Sequence, residues 1–456
     1  MNTKVKKNRT WIWVSLGLIA LIIVVWILAV KMEGRKPELL TEMKSASIGK
    51  THTMTIIVSD AKSGIRKVWV GLIKDGKENT ITIKNYPSAG FIGGGLIKTE
   101  SVEISIDTQA LSLTDGKAMF RFAVWDYSWR KWGKGNQTYL EKAVLIDTKS
   151  PEIDVLSRSH NVNQGGSGLA IYKLSEDCPV SGVVVDENFY PGHSGYFKDD
   201  SIYISFFALN HQQGPSSKLR LKAVDFAGNT GLAGFPNHIN KRSFRRDNLN
   251  ISDGFLNVTL PKFSGQIDLD GNEPIDSFLE VNRHMRTANA EHIFKVTEST
   301  QTQMHWKGAF QRLPNAASRA QFADHRSYLY KGKTVDKQVH LGVDLASLAQ
   351  SPVPAANNGV VSFADILGIY GKSVILDHGF GLFSMYAHLS TIKVEVGQAV
   401  GIGDVIGKTG KTGLAGGDHL HYSMIIHNTF VNPLEWWDPN WINNNITQKL
   451  NAIGSE

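Results

Sequence analysis

At 456 residues, with 42% apolar and 20% charged side chains and no low-complexity tract, the chain has material for about three folded domains. Its formal charge of +7 is mildly basic, and no cluster of basic residues interleaved with aromatics points to a nucleic-acid surface. The single cysteine, Cys178, excludes an intrachain disulfide and a thiolate metal site, so any metal has to sit on His and Asp/Glu.

The first element is WIWVSLGLIALIIVVWILAV, Trp11 to Val30: twenty residues without a charge, enough to cross about 30 Å of hydrocarbon as a helix. Trp11, Trp13 and Trp26 lie near its ends, as interfacial aromatics do. Lys4, Lys6, Lys7 and Arg9 precede it, whereas Lys31, Arg35 and Lys36 beyond it are offset by Glu33 and Glu38. That bias predicts a cytoplasmic tail over 1–10, a single-pass anchor over 11–31 and an exported remainder. AVKMEGRK is a poor cleavage site, so the anchor reads as uncleaved.

Residues 40–235 read as all-β and as a repeat. RFAVWDYSWRKWGKGN (121–136) and LKAVDFAGNTG (221–231) share an apolar strand, an Asp and a Gly-Asn end, with Asp126 and Asp225 99 residues apart. Thr55 and Ile57, then Val68 and Val70, alternate with other residues around a Ser-Gly turn. The segments resemble bacterial immunoglobulin-like wall modules, which implies β-sandwiches over 40–148 and 149–235, with Pro151 near the joint. Asp60, Asp126 and Asp225 are candidates for calcium at domain junctions; turn caps are the preferred reading.

Residues 236–308 form a connector. A basic loop enters a short strand, and EPIDSFLEVNRHMRTANAEHIFK reads as a helix with Ile275, Phe278, Leu279 and Met285 on one stripe. His284 and His292 on it read as solvated. The stretch Lys241–Lys295 is either a plain structural connector or a cover over the domain that follows.

The chemistry-bearing residues crowd into the last third. VDKQVHLGVDLAS places His340 and Asp344 about 13 Å apart on a straight strand, so a bend at Gly342 is needed before they could share an ion. SVILDHGFGLFSMYAHLS reads as a hairpin turning at Gly379-Phe380-Gly381, with His388 near the end of its second strand. A glycine-punctuated meander then leads to GDHLHYSMIIHN. There Leu420, Tyr422, Met424 and Ile426 alternate, which puts His419 and His421 together on the opposite face. His378, His427 and His325 read as local structure. Tyr386, two before His388, could share its side and assist.

H-x-G-x-D, then D-H-G-F-G…Y-A-H-L, then G-x-T-G…H-L-H before an apolar strand resemble the LytM/lysostaphin-type zinc endopeptidases of bacterial cell walls, in order from about Ala309 to Trp437. The resemblance implies a mainly β chain ending in a lysostaphin-type peptidase domain over 309–440. It implies one zinc ion held by His340, Asp344 and His421, with His388 and His419 as catalytic histidines. Three protein ligands leave a position open for a water nucleophile, as catalytic zinc sites do. The implied substrate is the peptide cross-link of peptidoglycan. Two positions depart from the family: Asp418 stands where proline is common before H-L-H, and Ser423 where an acidic residue often follows it. Neither is a ligand, so both departures are expected to bear on substrate or local stability more than on activity.

Other classes fit less well. A zinc D-alanyl-D-alanine carboxypeptidase spaces its first His and Asp more widely, and a three-histidine site would need a third His about twenty residues past the pair. A non-catalytic wall-binding scaffold that activates another hydrolase suits the anchor and β-modules, but not the intact ligand set.

Overall fold

The computed structural model describes residues 10–43, 45–90, 93–267 and 273–454; the basic residues of the expected cytoplasmic tail, Lys4 to Arg9, lie outside these. The apolar run forms helix α1 (Thr10–Lys31), whose side chains are exposed almost throughout, Trp11 to 75% and Trp26 to 65%. Beyond it the chain is mainly β and divides into two compact units, one of residues 1–150 with 224–229 and one of 151–223 with 230–456.

The first unit packs a five-stranded sheet, in the order Ser47–Ile48, Gln137–Ile146, Gly116–Asp126, Ile65–Lys74, Lys77–Asn85, against three strands, Glu38–Glu42, Thr51–Ser59 and Thr99–Asp107. Met54, Ile56 and Val58 from one sheet meet Val68, Val70, Phe120 and Phe122 from the other in a single core. The alternation expected at Val68 and Val70 holds, but in the strand Thr51–Ser59 the phase is opposite: Thr55 and Ile57 turn outward. Three consecutive apolar residues, Ile56, Ile57 and Val58, leave the phase open to either reading until the partner sheet selects one.

Asp126 and Asp225 do the same job at both ends of their 99-residue spacing. Asp126 Oδ1 accepts the amides of Ser128 (3.0 Å) and Asn136 (2.7 Å), and its Oδ2 accepts Asn136 Nδ2 (2.8 Å). Asn136 Nδ2 also donates to the carbonyls of Glu33 and Arg35, which ties down the chain leaving α1. Asp225 likewise accepts the amides of Ala227 and Asn229 and the Asn229 side chain, which donates to the Asp147 carbonyl. These are turn caps that also hold the preceding strand's approach.

In the second unit, β-strands of residues 151–223 share one core with the C-terminal region. Phe206 lies 6.2 Å from Trp306 and 6.1 Å from Trp436, and Glu435 accepts hydrogen bonds from Asn163 and Ser167. The stretch expected to be a connector is built in as well. Its helix runs as α2 (Pro274–Glu280), a π-helical turn and α3 (Arg286–Thr297). Phe278 is buried as the stripe predicts, while His284 and His292 are exposed. Two buried asparagines that the periodicity did not flag fasten it: Asn282 Nδ2 donates to Asp336 (2.7 Å), and Asn289 Oδ1 accepts the Ile369 amide (2.9 Å).

The sheet that carries the site is antiparallel. We label its strands β1 (Ala317–Ala320), β2 (Val343–Ala346), β3 (Gly359–Ile366), β4 (Lys372–Gly379), β5 (Leu382–Leu389), β6 (Ala399–Val400), β7 (Leu420–Ile426) and β8 (Thr429–Val431). Their order is β1-β2-β7-β5-β4-β3-β6, with β8 beside β7. The β4–β5 hairpin turns where the glycines predict. Strand β7 is buried along its whole length, so the face carrying His421 and Ser423 is covered rather than solvated.

Candidate metal centre

His340, Asp344 and His421 converge because of register and a change of sheet. Asp344 on β2 stands directly opposite His421 on β7. His340 follows the strand Lys333–Val339, which belongs to a different sheet, so the chain turns between His340 and Asp344 as their spacing requires. Gly342 sits in that turn for reasons of space: a Cβ there would lie 2.6 Å from the His421 ring and 2.6 Å from Ser423 Oγ. His340 Nε2, His421 Nδ1 and Asp344 Oδ1 lie 2.9 to 3.0 Å from one another.

The protons are elsewhere. His340 Nδ1 faces the Gln321 carbonyl at 2.9 Å, an acceptor only, so that nitrogen carries the hydrogen and Nε2 presents a lone pair. Ser423 donates its hydroxyl to the Leu341 carbonyl (2.8 Å), so its oxygen accepts the N–H of His421 Nε2 (3.0 Å) and leaves the His421 Nδ1 lone pair inward. Burial pushes His421 down to about 4, which keeps it neutral. Burial would raise the Asp344 carboxyl, but the imidazoles of His340, His419 and His421 outweigh it and hold it well below the usual carboxylate range. Two ring nitrogens and a carboxylate oxygen within 3.0 Å of one another need a proton or a cation between them. The donor set fits a divalent metal of the zinc class.

His388 and His419 border this cluster. Their rings are 4.9 Å apart, and His388 is 5.8 Å from His421. His388 Nδ1 faces the Thr412 carbonyl and His419 Nδ1 the Gly417 carbonyl, both at 2.9 Å, and His419 Nε2 faces Asp344 Oδ1 at 3.6 Å. His388 has φ +61°, a left-handed conformation that is costly for a non-glycine residue and tends to occur at functional positions. The two differ electrostatically. Burial drives His388 well below its ordinary value; it also pulls on His419, but the Asp344 carboxylate 3.6 Å away offsets this and raises it.

Three contributors escaped sequence reasoning. Arg326 donates to Asp344 Oδ2 (3.1 Å), holding the oxygen that does not face the imidazoles. Ser423, expected to matter little to activity, fixes the His421 tautomer. Lys262 donates to the carbonyls of Lys411 (3.0 Å), Gly413 (3.3 Å) and Ala415 (3.0 Å), clamping the loop whose Thr412 carbonyl orients His388. Only Ser423, two residues after His421 on one strand face, left a signal that could have been followed.

The other histidines stay apart from the cluster. His378 is fully buried between the Asn358 carbonyl and Ser384 Oγ, and His427 stacks on His193 with ring centres 5.8 Å apart. His325 packs edge-on to His211. Tyr386 does not join the site: its hydroxyl accepts the Ala356 amide at 2.7 Å and the Ser384 hydroxyl at 3.0 Å in the core. A separate cavity of about 520 Å³, lined in part by Cys178 and His193, holds none of the cluster residues.

Residues 338–433 match the model of Peptidase family M23. This stretch is a Peptidase M23 domain. It is 40% identical over 97 residues to the DD-carboxypeptidase/endopeptidase Mpg of Neisseria meningitidis, covering 21% of this chain and 22% of that protein. It is 38% identical over 96 residues to the peptidoglycan DD-endopeptidase ShyA of Vibrio cholerae, at 21% and 22% coverage. The chain thus spans about a fifth of the length of the curated relatives it matches. Among solved structures, the catalytic domain of lysostaphin from Staphylococcus simulans aligns with 29% of this chain and 98% of its own, at 26% identity and a TM-score of 0.24. A putative peptidase M23 from Pseudomonas aeruginosa aligns with 60% and 93%, at 19% identity and a TM-score of 0.38.

Proposed function

We propose that the protein is a membrane-anchored zinc endopeptidase that hydrolyses peptide cross-links of bacterial peptidoglycan. The observation that carries the reading is the three inward lone pairs of His340, Asp344 and His421 inside the M23 domain, each fixed by a partner outside the cluster. Zinc bound there would supply Lewis acidity to a scissile carbonyl. The chain's own residues do the rest. His388 and His419 stand at the edge of the cluster, where one can accept a proton from the attacking water and the other can donate to the leaving amine. Thr412 and Gly417 hold those rings in orientation through their carbonyls. The relatives named for peptidoglycan cleavage support the substrate.

Helix α1 supports the location. It is apolar, long enough to span a membrane, and unburied within the protein. With the N-terminal basic residues inside, the M23 domain lies on the periplasmic or extracellular face of the cytoplasmic membrane. The first β-unit and the strands of residues 151–223 then separate α1 from the M23 domain in sequence.

The test is one preparation with two readouts: zinc content of the purified full chain, and release of cross-link peptides from purified peptidoglycan followed by mass spectrometry. One zinc per chain with cleavage that stops on chelation is expected. A folded, zinc-replete chain that releases nothing would leave it a wall-binding scaffold.

A further inference from the structure

A loop of the first unit is fastened to the chain where it leaves α1. SWRKWGKGN, residues 128–136, connects the strands Gly116–Asp126 and Gln137–Ile146. The Trp129 amide donates to the Lys31 carbonyl (2.8 Å), and Ser128 Oγ reaches the carbonyls of Lys31 (3.2 Å) and Glu33 (3.0 Å). Arg130 Nε donates to the Met32 carbonyl (3.0 Å), and Arg66 braces the loop through the Gly133 carbonyl (2.8 Å). The apolar run of α1 ends at Val30, so the loop is held at the very end of the span. It also closes on itself, with the Gly133 amide donating to the Trp129 carbonyl at 3.1 Å. Its tip, Lys131-Trp132, therefore stays within about 10 Å of Trp129 and beside the last turn of α1. The headgroup zone of a bilayer extends roughly 5–8 Å beyond the hydrocarbon on each side, so a tip pinned there stands at the membrane surface.

The tip has the chemistry of that surface. Trp132 is fully exposed, so packing within the fold does not account for an indole there. Lys131 and Trp132 both have left-handed backbones, φ +51° and +59°, a costly state for non-glycine residues that gathers at functional positions. Arg35, Lys36, Lys131 and Lys134 are exposed around it. The neighbouring carboxylates are mostly withdrawn: Glu33 is buried and accepts from Ser63, Asp126 is buried and accepts from Asn136, and Glu38 is the exposed exception.

We propose that this loop is a second membrane contact: Trp132 seats among the lipid headgroups of the bilayer that α1 crosses, and the basic residues around it meet anionic lipid phosphates. The proposal rests on reading α1 as a membrane span. It adds to that reading a fixed orientation of the first unit at the surface, since two contacts restrain what a single helix leaves free to swing.

The experiment uses the full chain in nanodiscs of phosphatidylcholine with phosphatidylglycerol. In a Cys178→Ser background, a fluorophore is placed either at Lys134→Cys, on the loop, or at Lys77→Cys. The strand Ile65–Lys74 starts beside the loop, where the Tyr127 amide donates to the Gly64 carbonyl (3.0 Å), and Lys77 follows its far end, about 30 Å away. Lipids carrying a spin label at headgroup depth should quench the label at 134 and spare the one at 77. Trp132→Ala should abolish that quenching, Trp132→Tyr should keep it, and discs of phosphatidylcholine alone should weaken it. Equal quenching at the two positions would overturn the inference while leaving the span intact, as would quenching at 134 that ignores both Trp132→Ala and the lipid charge. Loss of lipid quenching on addition of purified peptidoglycan would assign the loop to the wall and overturn the membrane contact. A chain that does not enter the discs would overturn the reading of α1, and this inference with it.

Discussion

Glu33, Asp60 and Asp126 in the first unit bring ligand atoms within 4.8 Å of one another, and so do His340, Asp344 and His421 in the M23 domain. By proximity and burial they look alike. They differ in where their protons point. Asp60 accepts the amides of Gly64 (2.8 Å) and Lys62 (3.2 Å), and Asp126 those of Ser128 and Asn136. Glu33 Oε1 accepts the amide and hydroxyl of Ser63, and its other oxygen faces Lys62 Nζ at 3.9 Å. In the acidic group, N–H donors feed the carboxylates and pin turns. In the His/Asp group the N–H bonds point outward and only lone pairs face in. Closeness alone does not make a metal site; the direction of the hydrogens does.

The largest effect that separates the two groups is at the metal. His340→Ala or Asp344→Ala should lose zinc and activity together, to assay background, while the chain stays folded; stoichiometric zinc in both purified variants would erase the distinction. His421→Ala should lose zinc too, whereas His388→Ala and His419→Ala should keep it and lose turnover by about 100- to 10,000-fold. Equal zinc loss in His419→Ala and His421→Ala would mean that the H-L-H pair does not divide its labour.

Next come the residues that aim the machinery. Arg326→Met and Lys262→Met should each cost on the order of 10- to 100-fold, the first in zinc affinity and the second in kcat with zinc retained. An increase in activity on Lys262→Met would instead favour the cover reading of the connector, since that clamp would then be restraining the loop.

Glu435, a buried carboxyl outside both groups, sharpens the contrast further. Burial pushes Glu435 up to about 7, against hydrogen bonds from Asn163 and Ser167 that favour its charged form. Its folded value lies above the unfolded one, so the folded chain holds the proton longer. Stability of the second unit should therefore fall as pH rises from about 4.5 to about 7 and level off above, by at most about 3 kcal/mol. Glu435→Gln should flatten that slope in urea titrations at several pH values; an unchanged slope would show that another group carries it.

The smallest effect is expected from the acidic group. Asp126→Ala should lower the stability of the first unit by about 1–3 kcal/mol through lost amide acceptors. Zinc content and cleavage should stay as they were, and any loss of zinc would join the two groups after all.

The candidate residues were legible through short motifs and the family resemblance those motifs carry. His340 and Asp344 flank a glycine that could bend the chain, and His419 and His421 flank a leucine that puts them on one face; the resemblance joined the two pairs. What orients them was not. Gln321 and Thr412 act through backbone carbonyls, which no side-chain pattern reveals, and Lys262 reaches its loop from about 150 positions away in sequence. The fold divides the same way. Strand alternation gave the sandwich of the first unit, with the phase of Ile56 and Ile57 inverted because neighbouring apolar residues serve either face equally well. The expected joint near residue 235 rested on a local repeat, and Phe206, Trp306 and Trp436 pack together through contacts that repeat does not encode.

That shared core has a consequence for inheritance. The stretch held in common with relatives, residues 338–433, is a unit of descent, but its walls include Trp306, Phe310 and the strands of residues 151–223. A gene fragment cut to the family's outline would leave an aromatic face open to water. Recombination that moved the catalytic stretch to another protein would have to carry the upstream strands along or rebuild that face. The stretch matched by the family and the core it packs into have different borders, and in this chain the second is the larger.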